Sequence, residues 1–345
     1  MNSDGLKILI VKLGSLGDIM HTIPAQQRIA QEVPEAQIHW LTEPPYDDLL
    51  RRVSGLSRVW LADTKKWRRS IFSLPEILHL IQSLRRQNFH IALDFQGLVK
   101  SALLARLSGA GRVVGFVPHQ SREPASRHFY SETILGDDGS RPHVIEINLQ
   151  LARSLGCTSN GTGPLIPLDI PSDAFDYVED QLRQSKIVKP ILVNPGAGWV
   201  TKLWPVKDYA ALLLRIQEEL GFATVLTYGP GEEELVEKIR AIVAPHPIAA
   251  FPTTLLQLAA LCRRSRLLIA GDTGPLHLAV ALGTPTVAIL GPTSPWRNGP
   301  FNQEDPIVKR YLPCSNSYKR TCDEFICMDI PVKDVFDAVV RRLES

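Results

Sequence analysis

A chain of 345 residues exceeds one ordinary hydrophobic core and predicts two domains of about 150 residues each. Its 44% hydrophobic and 21% charged residues exclude a disordered, collagen-like or low-complexity protein. A net charge of +2 argues against a nucleic-acid partner, and five cysteines, few and odd in number, point to free thiols in a reducing compartment.

The N-terminus, MNSDGLKILIVK, enters a short strand without the charged stretch and long apolar run of a signal peptide. No stretch approaches the roughly 18–20 apolar residues of a membrane span, so a soluble, cytoplasmic protein is expected. KILIVK (7–12) is the first predicted strand, followed by a glycine loop and a helical periodicity over 19–31. QIHWLT (37–42), RVWLAD (58–63), IALDFQ (91–96) and RVVGFV (112–117) are further strands, with amphipathic helices over 74–87 and 99–108. NGTGPLIPLDIPSD (160–173), rich in Gly and Pro, reads as a linker. The pattern then restarts. Strands are predicted at ILVNPGAG (191–198), TVLTYGPG (224–231), IAAF (248–251), LLIAGD (267–272) and TVAILGPT (286–293). Helices are predicted over 205–220, 232–244, 254–263, 274–282 and 331–344. Short apolar strands alternating with helices predict an α/β protein of two halves, each with a parallel sheet covered on both faces. In such sheets ligands sit beyond the C-terminal strand ends, so two halves facing each other would line one cleft with their glycine loops.

Five stretches carry candidate chemistry. In LGSLGD (13–18), Gly14 and Gly17 follow a strand and precede a helix, so their backbone can approach an anion. The stretch matches neither the dinucleotide nor the P-loop pattern. Asp18 fits two roles, a helix cap or a general base that deprotonates a sugar hydroxyl. In GDTGPLHLAVALGTPTVAILGPTSP (271–295), Asp272, Thr273 and Gly274 stand at a helix start with Pro275 in its first turn. Free amides of Thr273, Gly274 and Leu276, aided by the helix dipole, would make a diphosphate site to which His277 could donate. The turn Gly291–Thr293 would line the same wall. NPGAGWVTKLWP (194–205) sets Lys202 behind a glycine turn, where it can neutralise a leaving diphosphate. In YGPGEEE (228–234), Glu232 could reach a ribose or sugar hydroxyl besides starting a helix.

The fifth is KKWRRS (65–70), a local basic run containing Lys65, Lys66, Arg68 and Arg69. It is either a solvated loop or a surface for an acidic acceptor or phosphate-rich membrane, and Lys100 and Arg122 could extend it. Cys314, Cys322 and Cys327 are spaced C-x7-C-x4-C, with one short spacing where zinc sites show pairs and a fourth ligand. No metal or cofactor is expected.

Together these segments resemble the ADP-heptose:lipopolysaccharide heptosyltransferases, glycosyltransferase family 9. The likeness runs from VKLGSLGDIMHTIPA (11–25) through DFQGLVKSALLARLSG (94–109), SREPASRHFY (121–130), KLWP (202–205), GDTGPLHLAVALGTP (271–285) and GPTSP (291–295) to CMDIPVKDVFDAV (327–339). It implies a GT-B fold of two Rossmann-like domains facing across a cleft. The acceptor-binding domain would be 1–165 and the ADP-sugar domain 175–330, with a C-terminal helix over 331–345 packing back on the first. Within the family QGLVKSA and REPASRHFY are more similar to heptosyltransferase I. That implies inverting transfer of L-glycero-D-manno-heptose from ADP-heptose to Kdo-lipid A by a monomer on the cytoplasmic face of the inner membrane.

Carried over residue by residue, the resemblance makes Asp18 the catalytic base and Lys202 the phosphate-binding lysine. Ala197, Gly198, Glu232, Asp272, Thr273, Gly274 and His277 would contact the donor. Ser15, Gly17, Lys65, Lys66, Arg68, Arg69, Lys100 and Arg122 would contact the acceptor. Ala197 and Gly198 stand where the family has threonines, leaving nucleotide contacts there to the backbone, and Glu232 sits in a loop one residue shorter. The cysteine cluster is more similar to heptosyltransferase II. Another transferase of the family, a sugar-nucleotide epimerase of like fold, and a non-catalytic binding protein are the rival readings.

Overall fold

The computed structural model describes residues 5–69, 71–158, 165–246 and 248–345. The chain divides into two compact units, Met1–Asp169 and Ile170–Ser345. The division falls inside the predicted linker, whose residues 160–164 lie outside the described ones, as do Ser70 of the basic run and residues 1–4.

The first unit holds β1 (Lys7–Val11), β2 (Gln37–Thr42), β3 (Arg58–Leu61), β4 (Ile91–Asp94), β5 (Arg112–Phe116) and β6 (Glu132–Ile134). They form one sheet in the order β3-β2-β1-β4-β5-β6, every pair parallel. The second unit holds β7 (Ile191–Asn194), β8 (Thr224–Leu226), β9 (Ala249–Ala250), β10 (Leu267–Gly271), β11 (Thr286–Leu290) and β12 (Ile307–Lys309). Its order, β12-β11-β10-β7-β8-β9, is again all parallel and repeats the first topology. Each sheet therefore reverses strand order once, between β1 and β4 and between β7 and β10. At such a switch point the loops leave in opposite directions and open a crevice for ligands. The central strands are buried at nearly every position, which explains why they read as unbroken apolar runs.

Several elements differ from expectation. The helix expected over 19–31 is two, Leu16–Met20 and Ile23–Glu32. The first starts early because Asp18 reaches back to the Ser15 N–H, half of a capping box. The second begins afresh with Pro24 in its first turn, where the missing N–H costs nothing. Lys65 and Lys66 lie not in a loop but in a helical turn, Thr64–Trp67, capped by Asp63 Oδ1, which accepts from Lys66 N at 3.0 Å. Helices Val144–Arg153 and Ser172–Gln184 were not anticipated. The second emerges from the Pro-rich stretch and buries Ala174, Val178 and Leu182 at intervals of four. β6 and β12 have three residues each, too few for a periodic signal.

The last helix, Val332–Glu344, buries Val335, Phe336, Ala338 and Val339 in the core of the second unit with Leu213, Ile216 and Val287. These four side chains are thus occupied within their own unit. Among the described residues no helix is long and apolar enough to cross a membrane.

Candidate active site

In the first unit, Val11 pairs with Asp94 across β1 and β4, so the loops after the two strands leave side by side. Asp94 is fully buried and accepts from Gln96 N (2.9 Å), Gly97 N (3.3 Å), Ser101 Oγ (2.9 Å) and Tyr130 Oη (2.7 Å). It shapes the β4 loop so that Gln96 Oε1 accepts from Leu13 N at 3.1 Å and Gly14 N at 3.4 Å. A buried carboxylate with four donors braces one loop against the other. Gly14 is required there: φ is +157°, and a Cβ would stand 2.8 Å from Tyr46 Cε2.

This frame presents Asp18. Its side chain is 17% exposed and lies 3.9 Å from Lys12 Nζ, which is itself anchored on the Phe95 carbonyl at 2.8 Å. Arg122 Nη2 reaches both carboxylate oxygens, at 2.8 and 2.9 Å, and Ser15 N donates at 3.0 Å. Burial pushes the Asp18 carboxyl up, but Lys12, Arg122 and the Ser15 N–H together hold it below the usual carboxylate range. The charged groups facing it are therefore Lys12 from the strand end and Arg122 from the loop after β5. Tyr46 stands nearby, with its own phenol pushed up by burial, Glu43 and Asp18. Removing the guanidinium leaves burial less opposed, so Arg122→Gln is expected to raise the Asp18 pKa. A carboxyl-carbon NMR titration checks this; an unshifted midpoint would mean that Arg122 contributes nothing to holding the charge.

Each of the other expected acceptor residues has its own surroundings. Ser15 is exposed and its Oγ donates to Asp18 Oδ2 at 3.3 Å, whereas Gly17 is buried in the first helical turn. Lys100 Nζ is tied to Glu43 Oε1 at 2.7 Å and Thr64 Oγ1 at 2.9 Å. Lys66 pairs with Glu76 at 2.6 Å. Lys65, Arg68 and Arg69 are exposed.

In the second unit, Ala270 pairs with Asn194, which brings Pro195–Lys202 beside Asp272–Gly274. Lys202 is 12% exposed and Asp272 6%, with Nζ 2.7 Å from Asp272 Oδ2 and 3.1 Å from the Asp272 carbonyl. His277 Nε2 lies 3.0 Å from the other oxygen, Oδ1. Burial raises the Asp272 carboxyl, but His277 and Lys202 outweigh it and hold it well below the usual range. Its ionised form is thus fixed between two partners. A lysine ammonium has three donors, and two go to Asp272, leaving one for a ligand. Nε2 of the His277 ring thus stands against the Asp272 carboxylate.

Thr273 caps the helix Gly274–Ala281 without a side-chain hydrogen bond to its amides. Its Oγ1 instead reaches Asn194 Oδ1 at 3.4 Å. The N–H groups of Thr273, Gly274 and Leu276 have no partner among the described residues. Unsatisfied amides at a helix start, beside a lysine ammonium, are groups of the kind that bind anions. Ala197 and Gly198 lie in the adjoining β7 loop, half-buried and exposed respectively. Glu232 Oε2 accepts from Gly229 N at 2.7 Å, and its Oε1 would be 2.1 Å from a Cβ on Gly196. A methyl there meets only the end of a flexible side chain, so Gly196→Ala should displace the Glu232 carboxylate at small cost in stability. If Glu232 holds the donor, calorimetry should find Gly196→Ala weakening ADP-sugar binding about as much as Glu232→Ala, with the double variant no worse than either. Additive losses would contradict the coupling.

The sequence reading missed Lys12, Asp94 and Gln96, whose partners come from distant strands. It also missed Trp199, whose ring faces Lys202 Nζ at 4.2 Å and the Arg320 guanidinium at 4.9 Å. Lys309, from β12, donates to the Gly291 and Thr293 carbonyls and so fixes the second glycine turn. Cys314 and Cys322 are exposed, Cys327 partly buried, and all three are free thiols. Among the described residues no three His, Cys, Asp or Glu side chains are placed to hold a metal.

The sequence profile of glycosyltransferase family 9 (heptosyltransferase) matches residues 77–326. Lipopolysaccharide heptosyltransferase 1 of Pseudomonas aeruginosa is 30% identical over 325 residues, covering 92% of this chain and 87% of that protein. A glycosyl transferase family 9 structure from Veillonella parvula superposes with a TM-score of 0.84 at 21% identity, over 100% of this chain and 99% of that one. E. coli heptosyltransferase WaaC with ADP gives 0.77 at 24% identity, over 98% and 100%. The repeated six-stranded sheets and these likenesses give an α/β fold of GT-B type.

Proposed function

The chain belongs to glycosyltransferase family 9 and is a glycosyltransferase, and on that premise we propose that it transfers L-glycero-D-manno-heptose from ADP-heptose to the Kdo-lipid A inner core of lipopolysaccharide. The observation that carries the choice of sugar and acceptor is its 30% identity, over 92% of its length, to a lipopolysaccharide heptosyltransferase 1. It would act as a monomer, peripherally, at the cytoplasmic face of the inner membrane.

The proposed chemistry is a single displacement with inversion. Asp18 takes the proton from the acceptor hydroxyl as that oxygen bonds to the anomeric carbon. The bond from that carbon to the diphosphate breaks, and ADP departs with the electron pair. Negative charge grows on the diphosphate during this step. Lys202, with its third N–H, and the unsatisfied amides of Thr273, Gly274 and Leu276 are the groups suited to meet it. The proposed role of Asp272 and His277 is to hold Lys202 in place. On the acceptor side, Arg122 lies against Asp18. An acidic acceptor would compete for the guanidinium and leave the carboxylate freer to accept a proton.

Continuous measurement of ADP release separates this reading from its rivals. ADP should appear only when ADP-heptose and a Kdo-lipid A acceptor are both present. A modified sugar nucleotide formed without acceptor would indicate an epimerase instead, and no turnover in any mixture a binding protein.

A further inference from the structure

We propose that Arg320 binds the diphosphate of the sugar nucleotide as a second cation beside Lys202, held in place by a strap of residues 318–320. Its role rests on the transfer reading above and adds a donor-binding residue to it. Lys202 Nζ stands 2.7 Å from Asp272 Oδ2, so the two charges largely cancel for a ligand farther off. Glu232, packed on Gly196, adds a further carboxylate to the same group of loops. The diphosphate of a sugar nucleotide is doubly charged and gains more negative charge as the sugar departs. Helix-start amides answer it with partial charges only. The wall therefore needs a cation that is not already neutralised.

Lys309 is not that cation. It is half-buried, donates to the Gly291 and Thr293 carbonyls, and its pKa is pushed down by burial. Arg320 has the opposite character. It is exposed, has no ion-pair partner among the described residues, and lies with its guanidinium 4.9 Å from the Trp199 ring centre. Lys202 Nζ lies 4.2 Å from the centre of the same ring. Two cations against one indole are close enough for a diphosphate to bridge, with a hydrogen bond at each end. A guanidinium also offers phosphate two parallel N–H groups, which an ammonium does not.

The strap is tied on both sides. Thr201, itself buried, donates from Oγ1 to the Lys319 carbonyl at 2.8 Å. Tyr318 N donates to the Pro292 carbonyl at 3.1 Å, and Tyr318 Oη donates to Asn298 Oδ1 at 2.7 Å and accepts from Ser294 N at 3.4 Å. Tyr318 has φ +54°, a backbone state that a non-glycine residue keeps only where its neighbours over-determine it. The loops so joined follow β7 and β11, the two neighbours of β10. Residues 318–320 thus tie together the loops that flank Asp272.

Calorimetry on the intact protein, with ADP and with adenosine, tests the assignment. Arg320→Ala should bind ADP about 10–100-fold more weakly, the worth of a charge-assisted hydrogen bond, and adenosine as the wild type does. Its melting temperature should be unchanged, because the side chain is on the surface. Arg320→Lys keeps the charge without the fork and should fall between. Lys319→Ala, which removes an exposed cation one position away, should leave ADP affinity as it is. Tyr318→Phe loosens the strap, so it should weaken ADP binding by a smaller factor and add nothing to Arg320→Ala. Additive losses would overturn the strap's part. The proposal is overturned if Arg320→Ala binds ADP like the wild type, if Lys319→Ala loses as much, or if adenosine affinity falls equally. A folded wild type that binds no ADP at all would overturn the transfer reading as well, so the wild-type measurement alone tells the two failures apart.

Discussion

Asp18→Asn is expected to lower kcat by about 10²–10⁴-fold, the usual worth of general-base assistance, while leaving ADP binding and folding intact. The substitution is chosen for what it keeps. An asparagine oxygen can still accept from Ser15 N, the bond that starts the helix Leu16–Met20. It cannot take a proton. The position also has uncommon surroundings, with Lys12 behind it and Arg122 on both its oxygens. A carboxylate placed only to cap a helix would need neither cation. Rapid-quench kinetics, with ADP affinity and thermal melting measured in parallel, checks the result. A folded variant that binds ADP and retains wild-type turnover would leave Asp18 as a helix cap and nothing more.

Lys202→Met is expected to act on rate and stability at once. Losing a preorganised charge from the leaving group's side costs about 10²–10³-fold in kcat, by analogy with the removal of one oxyanion-stabilising donor. The same change strips Asp272 of its buried ion-pair partner, and breaking such a pair costs about 3–5 kcal/mol. His277 remains on Oδ1, so the lower end of that range is expected. The two effects can be separated. Adding Asp272→Asn removes the stranded charge, so the double variant should recover stability and none of the activity. Recovery of both would deny Lys202 a part in the reaction. Asp272 has a depressed pKa in the folded protein, so its stabilising contribution is present above its ordinary value of 3.8 and is lost as pH falls through the folded value.

The two switch-point loops were legible because each is a local pattern: an apolar run, a glycine turn and a helix start. LGSLGD and GDTGP carry Asp18, Asp272 and Thr273 in that pattern, and the structure puts both loops at the reversal of strand order. What could not be read was partnership across the sheet. Arg122 is 104 positions from Asp18, and the Lys12 bond to Phe95 spans 83. Such contacts exist only once the order β1-β4-β5 is fixed. Lys12 left one trace, a charge ending the apolar run KILIVK, and Asp94 another, a carboxylate ending IALD. His277 was read as a phosphate donor from its place on the first helical turn. The direction of its ring, toward Asp272, depends on a rotamer that no spacing encodes. The short strands β6 and β12 and the helix Ser172–Gln184 escaped for the opposite reason, being too brief or too polar to stand out from flanking loop residues.

The most direct test of the proposed transfer is a single incubation of the protein with ADP-heptose and Kdo-lipid A, followed by mass spectrometry of the lipid. The account predicts that the lipid gains the mass of one heptose, that ADP forms in equal amount, and that Asp18→Asn abolishes nearly all of both. Unmodified lipid in the presence of folded, donor-bound protein would contradict it, and a mass gain only on an already heptosylated core would reassign the acceptor.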